Sequence, residues 1–157
     1  MTNDYTVAVA RADDITDIAR PIRECGLFAP DEAEGFVSML PDLIAEDGAH
    51  WRVLRDGDRP AGACYLSRER MSEDVWNLWF IGLQLGDQGR GGGTLLLSEA
   101  ERTARAEGGR LLLIETSSGD GFETARAFYA ARGYDREAVI RDYYASGEDK
   151  IVFRKAL

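Results

Sequence analysis
Val75-Trp76-Asn77-Leu78-Trp79-Phe80-Ile81-Gly82-Leu83-Gln84-Leu85 is a long apolar run, and Gly86-Asp87-Gln88-Gly89-Arg90-Gly91-Gly92-Gly93 follows it. The run reads as a strand, the glycines as a tight turn, and Thr94 to Glu107 as a helix that Gly108-Gly109 stops. Strict alternation places Trp76, Leu78 and Phe80 on one face and Trp79, Ile81 and Leu83 on the other, so both faces need cover. A glycine turn at a helix start presents free backbone N–H groups at the positive end of the helix dipole, which suits an anion and phosphate best. The turn is not a Walker loop, since no Lys-Ser/Thr pair follows the last glycine. The dinucleotide G-x-G-x-x-G spacing is also absent, and Glu115, the acid about 20 residues on, lacks that context.

Outward from this stretch, Leu111-Leu112-Leu113-Ile114 is a continuous apolar strand, so strand, helix and strand make a right-handed βαβ unit. Glu123 to Arg132 reads as a further helix with Gly133 as its stop, and Val139–Tyr144 and Lys150–Phe153 as two closing strands. Upstream, Tyr5–Ala10 is β-prone, and Ile15, Ile18, Ala19 and Ile22 follow helical spacing that Pro21 should kink or break. Pro30-Asp31-Glu32 starts a second helix, interrupted by Pro41; two short helices here would form a lid or an acceptor wall. His50–Leu54 and Ala61–Leu66 pair as a hairpin around Asp56-Gly57. The expectation is one α/β domain over residues 1–157 with a mixed sheet.

A chain of 157 residues can bury a core without disulfides or metal. No apolar run approaches the roughly 20 residues that span a bilayer, and the N-terminus lacks a signal-peptide pattern, so a cytoplasmic protein is expected. Net charge of −9 argues against nucleic acid. Residues 1–75 hold 16 acids and 8 Arg/Lys, whereas residues 76–157 hold 12 acids and 11 Arg/Lys. The acidic half would favour a cationic substrate if both halves line one cleft, or else is a solvated surface. Cys25 and Cys64 have no metal spacing and read as two packed free thiols.

Two motifs then point to a family. Gln88-x-x-Gly91-x-Gly93, between a long strand and a helix, resembles the acetyl-CoA-binding motif of the GNAT acetyltransferase superfamily. Ala125-Arg126-Ala127-Phe128-Tyr129-Ala130-Ala131-Arg132-Gly133-Tyr134 resembles that family's second signature, and residues 142–150 its closing hairpin in a bacterial subgroup. The resemblance covers residues 76–157 well and the first 70 only in element order. It implies a mostly antiparallel central sheet with a parallel βαβ acetyl-CoA-binding core and flanking helices. It also implies acetyl-CoA as co-substrate, no metal, and acetyl transfer to a small-molecule amine or a peptide by a monomer or homodimer. Neither nucleic acid nor membrane would be a partner.

Residue by residue, Gly89, Gly91, Gly92 and Gly93 would bind the pyrophosphate through backbone N–H groups, with Gln88 and Arg90 flanking it. The family strand carries a bulge whose amides bind the pantetheine arm and the acetyl carbonyl; here it would lie at about Ile81, Gly82 and Leu83. Tyr129 falls where the family places the general acid for the departing thiolate, although packing against Phe128 is its bland alternative. Three positions depart from the family: Phe122 replaces a frequent asparagine, Leu85 a frequent proline, and Asn77 a glutamate that serves some members as base. Asparagine takes no proton at neutral pH, so Asn77 could at best orient a water.

Glu115 is then the first candidate base, against the alternative of a carboxylate held in an ion pair. His50 suits the chemistry but is expected in a surface loop. Tyr143 and Tyr144, before the closing turn, would line the acceptor site. The rival function is an acyl-CoA-binding sensor or regulatory module without turnover, supported by the missing glutamate at position 77.

Overall fold
The computed structural model describes residues 4–157. Its strands are β1 (Tyr5–Val9), β2 (His50–Asp56), β3 (Arg59–Arg68), β4 (Val75–Leu83), β5 (Leu111–Ser117), β6 (Asp135–Ala145) and β7 (Glu148–Ala156). Its helices are α1 (Ile15–Glu24), α2 (Pro30–Ala45), α3 (Gly92–Ala106) and α4 (Glu123–Ala131). All seven strands join one sheet in the order β1-β2-β3-β4-β5-β7-β6. Only β4 and β5 run parallel, with α3 as the crossover between them. The expected mixed, mostly antiparallel sheet with a parallel core is therefore present. Among the described residues no helix is long and apolar enough to cross a membrane.

Two apolar layers cover the sheet. Ile18, Ala19 and Ile22 of α1 and Ala33 and Leu40 of α2 pack with Trp51, Val53, Ala63, Tyr65 and Phe80 on one face. Leu96, Leu97, Ala100 and Ala104 of α3 pack with Leu54, Leu66, Trp76, Leu78, Leu112 and Ile114 on the other, joined by Tyr129 of α4. Each fully buried leucine or isoleucine in these layers contributes about 1.5–3 kcal/mol. Both prolines lie inside helices that continue through them, and α2 is 16 residues long rather than short. Packing of the apolar stripe outweighs the lost backbone bond. The strands after residue 134 are also longer than expected, since pairing with β7 carries charged residues that sequence alone leaves outside a strand.

The strict alternation expected along β4 does not hold. Tyr65 of β3 pairs with Phe80 and the next residue, Leu66, pairs with Leu78, so Trp79 is an extra residue. An extra residue shifts the side-chain alternation by one. Trp76 and Leu78 thus face α3, Phe80 faces α1 and α2, and Ile81 and Leu83 return to the α3 face. The bulge lies at Trp79, two residues before the expected Ile81–Leu83.

At the same level the parallel pair opens. Pairing of β4 with β5 covers only Val75–Leu78 against Leu111–Ile114. Beyond it, Ile81–Leu83 pair with β3 alone and Glu115–Ser117 with β7 alone. The sheet splits into a V, and the candidate site lies along its β4 arm.

The glycine turn sits above this split and is braced from below. Asp87, 2% exposed, accepts two bonds of 2.8 Å from Arg59 at the start of β3 and one of 2.9 Å from Tyr5 of β1. Gly92 lets α3 approach the sheet: a Cβ there would stand 2.6 Å from Leu54 and 2.7 Å from Leu83.

Replacing Gly92 with alanine should therefore cost stability through overpacking, about 1–3 kcal/mol, read as a lower urea midpoint at unchanged m. The Arg59 guanidinium holds the Asp87 carboxyl below the usual carboxylate range, with burial opposing and Tyr5 assisting. That stabilisation is complete above the ordinary carboxylate pKa, near 4, and is lost as pH falls through the lower folded value. Asp87→Asn should thus reduce stability at pH 7 and leave a smaller further loss on acidification below pH 4, measured by denaturant melts across pH.

Candidate active site
A cavity of about 450 Å³ lies against the β4 arm of the V. Its walls are the α1–α2 connection at Cys25–Leu27, the last residues of β4, the glycine turn, and the face of α4 that bears Ala125, Phe128 and Tyr129. One end is polar and the other apolar.

The polar end is the start of α3. Gly91 caps this helix in the left-handed region at φ 89°, and Gly89 before it has φ 76°, conformations that side chains other than glycine resist. The first helical bond is Leu95 N–H to the Gly91 carbonyl at 3.2 Å, so the N–H groups ahead of it have no partner within the helix. No side chain caps this end and its first turn holds no acid, which leaves the dipole available to an anion. Two guanidinium groups flank it. Arg90 lies 3.7 Å from Asp87 and stacks toward the Tyr5 ring. Arg132, at the C-terminal end of α4, donates to the Thr94 hydroxyl at 2.6 and 3.1 Å and lies 3.7 Å from the centre of the Phe128 ring. Gln88 is otherwise engaged: its amide donates to the carbonyls of Cys25 (3.1 Å) and Leu83 (3.3 Å), tying the α1 end to β4.

The apolar end holds Ile81, Leu83, Phe128 and Tyr129. Gly82 also lines it, and a Cβ there would meet the Phe80 ring at 2.7 Å. Tyr129 is 6% exposed, between Phe128, Tyr134 and Phe153. Burial pushes its phenol well above the usual value. Tyr134, the next aromatic, donates to Glu101 of α3 at 2.9 Å, and Lys155 donates to the same oxygen at 3.0 Å, which locks α4 against α3. Cys25 lines the cavity, but its thiol donates to the Ile22 carbonyl and burial pushes its pKa up, away from thiolate. Cys64 is wholly buried, its thiol pushed up to about 12 by burial.

The remaining candidates lie off the cavity wall. Glu115 is in an ion pair with Lys150 at 3.1 Å, and Lys150 stands 3.9 Å over the Tyr143 ring. Although burial works against it, the Glu115 and Tyr143 neighbours raise the Lys150 pKa. Tyr143 and Tyr144 pack edge to face, both about half exposed. Asn77 is wholly buried and donates to Glu69 at 2.7 Å. Its part is to hold Glu69, since it cannot reach an acceptor at the surface. His50 is the first residue of β2, partly buried against Trp76, and burial lowers its pKa; it is not on the cavity wall.

The cavity thus unites Ile81–Leu83, Gln88, Gly89, Gly91, Gly93 and Tyr129, and leaves Asn77, Arg90, Gly92, Glu115, Tyr143 and Tyr144 off its wall, with Gly92 packed on the sheet. Sequence reasoning missed Asp87, Arg132, Thr94 and the Cys25–Leu27 wall. Arg132 stood within the quoted signature, whereas nothing local marks Cys25–Leu27. Among the described residues no cluster of three or more His, Cys, Asp or Glu could hold a metal ion.

The sequence matches the family described as "Acetyltransferase (GNAT) family" over residues 12–134. No match is found among proteins of curated function. A solved GNAT-family protein from Desulfovibrio desulfuricans is 28% identical with a TM-score of 0.89, covering 97% of this chain and 98% of its own. The ribosomal-protein-S18-alanine N-acetyltransferase of Escherichia coli shares the fold at 19% identity and TM-score 0.78, over 97% of this chain and 93% of its own. The PaiA N-acetyltransferase of Thermoplasma acidophilum, solved with coenzyme A, does so at 15% identity and TM-score 0.78, over 98% and 99%. The chain belongs to the acetyltransferase (GNAT) family, and its polar-to-apolar cavity fits acetyl-CoA as co-substrate.

Proposed function
We propose that the protein is an N-acetyltransferase that moves the acetyl group of acetyl-CoA to a primary amine by direct attack. The acceptor is a small amine, an amino-acid-like compound or a peptide amine. One observation carries the reading: a single cavity joins the N–H-rich start of α3 to the buried phenol of Tyr129.

Acetyl-CoA supplies the activated thioester. The N–H groups of the Gly89–Gly93 turn hold its pyrophosphate, with Arg90 and Arg132 adding positive charge at the rim. Ile81–Leu83, unpaired on the β5 side, offer main-chain groups to the pantetheine arm and the carbonyl oxygen, an arrangement worth about 10²–10³ in rate per donor. Tyr129 gives its proton to the departing thiolate. Burial keeps the phenol protonated, and the same apolar surroundings raise the proton affinity of the thiolate it faces.

The acceptor approaches from the α1/α2 face, where Tyr143, Tyr144 and the Glu115–Lys150 pair form one wall. Glu115 was the first candidate for the base. A proton arriving there must displace the ammonium of Lys150, so its role is to hold charge at the acceptor wall. Direct attack is favoured over an acetylated cysteine because Cys25, the thiol on the cavity wall, is kept from ionising by burial.

Tyr129→Phe should lower kcat by about 10²-fold or more with little change in acetyl-CoA affinity, in a thiol-release assay with isothermal titration of the cofactor. Unchanged turnover would remove the acid role. The reading as a whole is tested by thiol release with a panel of primary amines and peptides. A melting-temperature rise with acetyl-CoA in the absence of turnover with any amine would favour the sensor instead; saturation at about 100 times Kd stabilises by about 2.7 kcal/mol.

A further inference from the structure
A second cavity, about 310 Å³, opens on the α1/α2 face beside the bulge. Its wall includes Glu46, Tyr65, Ser67, Glu69 and Trp79. It touches β4 at Trp79, whereas the first cavity touches the same strand at Ile81–Leu83. The two cavities therefore reach β4 on either side of Phe80, two residues apart along the strand. Trp79 is 42% exposed and its indole N–H donates to Ser67 at 2.8 Å, which lays the ring along the second cavity.

Glu69 is fixed in this wall. Its backbone N–H donates to the Val75 carbonyl at 2.8 Å, and its carbonyl accepts from the Ser72 hydroxyl at 3.0 Å. Its carboxylate accepts the 2.7 Å bond from Asn77. Asn77 is 0% exposed, and its Oδ1 has no hydrogen-bond partner among the described residues. A buried amide that leaves one polar atom unmatched is costly to keep, and the bond to Glu69 is what its side chain provides.

Arg68 and Arg70 also line the cavity; Arg68 and Glu46 are paired, and Arg70 is largely exposed. Glu46 accepts from the Tyr65 hydroxyl at 3.3 Å and lies 3.7 Å from Arg70. Arg68 pairs with Asp74 and donates to the Glu107 carbonyl. Across the V, Glu115 is taken by Lys150. Among the described residues no cation stands within ion-pair distance of Glu69. It has a neutral orienting partner and open space in front of it.

We propose that Glu69, oriented by Asn77, takes the proton from the ammonium of an acceptor seated in the second cavity against Trp79. This rests on the acetyl-transfer reading above and supplies its missing base. The ammonium N–H bond breaks toward the Glu69 carboxylate, and the freed lone pair forms the bond to the thioester carbonyl carbon. The carbon–sulfur bond breaks, and Tyr129 protonates the thiolate. The nitrogen's second proton offsets the one Tyr129 gave, and Glu69 passes its own to solvent, so one proton is released per amide formed.

The test uses two probe nucleophiles: n-butylamine, an ammonium at neutral pH, and hydroxylamine, which is unprotonated there. Glu69→Gln keeps an acceptor for the Asn77 amide and should leave the acetyl-CoA melting shift intact. It should lower kcat/KM for butylamine at neutral pH by about 10²-fold or more. That deficit should shrink as pH rises toward the amine's own pKa, while the hydroxylamine rate stays close to wild type. Equal losses with both nucleophiles, a deficit independent of pH, or no loss with butylamine would each overturn the assignment. No thiol release by the wild type with any amine would instead overturn the acetyl-transfer reading, and this inference with it.

Discussion

The site depends on one extra residue in β4. Without Trp79 as a bulge, β4 would keep its alternation and nothing in its register would turn it from β5. With it, the strand bends, and its next residues keep partners on one side only. The sheet thereby acquires a cleft at its centre, normally the most hydrogen-bonded part of such a fold. A polar backbone edge in the interior is costly unless something pairs with it, and a ligand that carries amide and carbonyl groups can do so. The same residue sends Phe80 into the α1/α2 layer and returns Ile81 and Leu83 to the α3 layer, so each half of the cleft has its own packed support.

Above the bulge, charge is arranged in layers. The start of α3 presents N–H groups that have no partner within the helix, and Arg90 and Arg132 stand at its flanks. An acid close to this anion site would oppose its purpose, yet Asp87 lies just before the turn. It is buried and bound by Arg59 and Tyr5, so its charge is spent on anchoring the turn to β1 and β3. Gln88 performs a similar task with its amide, spanning Cys25 and Leu83. The loop's ligand-facing chemistry is therefore left to the main chain, and its side chains mostly hold the main chain in place.

On the opposite face the chain's acidic character acquires positions. Glu46, Glu69 and Glu115 all come to the region beside the split, from α2's end, β3's end and β5. Their partners differ: a phenol and a distant guanidinium, a neutral amide, and an ammonium. Identical side chains are thus given different chemistry by their neighbours, which is how one acidic surface can both hold a cation and take a proton from one.

The local pattern of the sequence determined much of the fold. The βαβ core, the hairpin around Gly57, the glycine turn and the helix bearing Tyr129 follow from periodicity and from turn chemistry within a few residues, because those signals are short-range. The same signals marked the glycine turn as an anion site, whereas Tyr129 was marked by the resemblance of residues 125–134 to the family's second signature. Tertiary structure alone decided the rest. Whether β4 bulges at Trp79 or at Ile81 is set by the register of β3 against it, a long-range pairing that composition does not encode. Whether a carboxylate pairs with a lysine, as Glu115 does, depends on β5 and β7, which are far apart in sequence and meet only once the sheet is ordered, and the bond of Asn77 to Glu69 depends on the bulged register of β3 against β4.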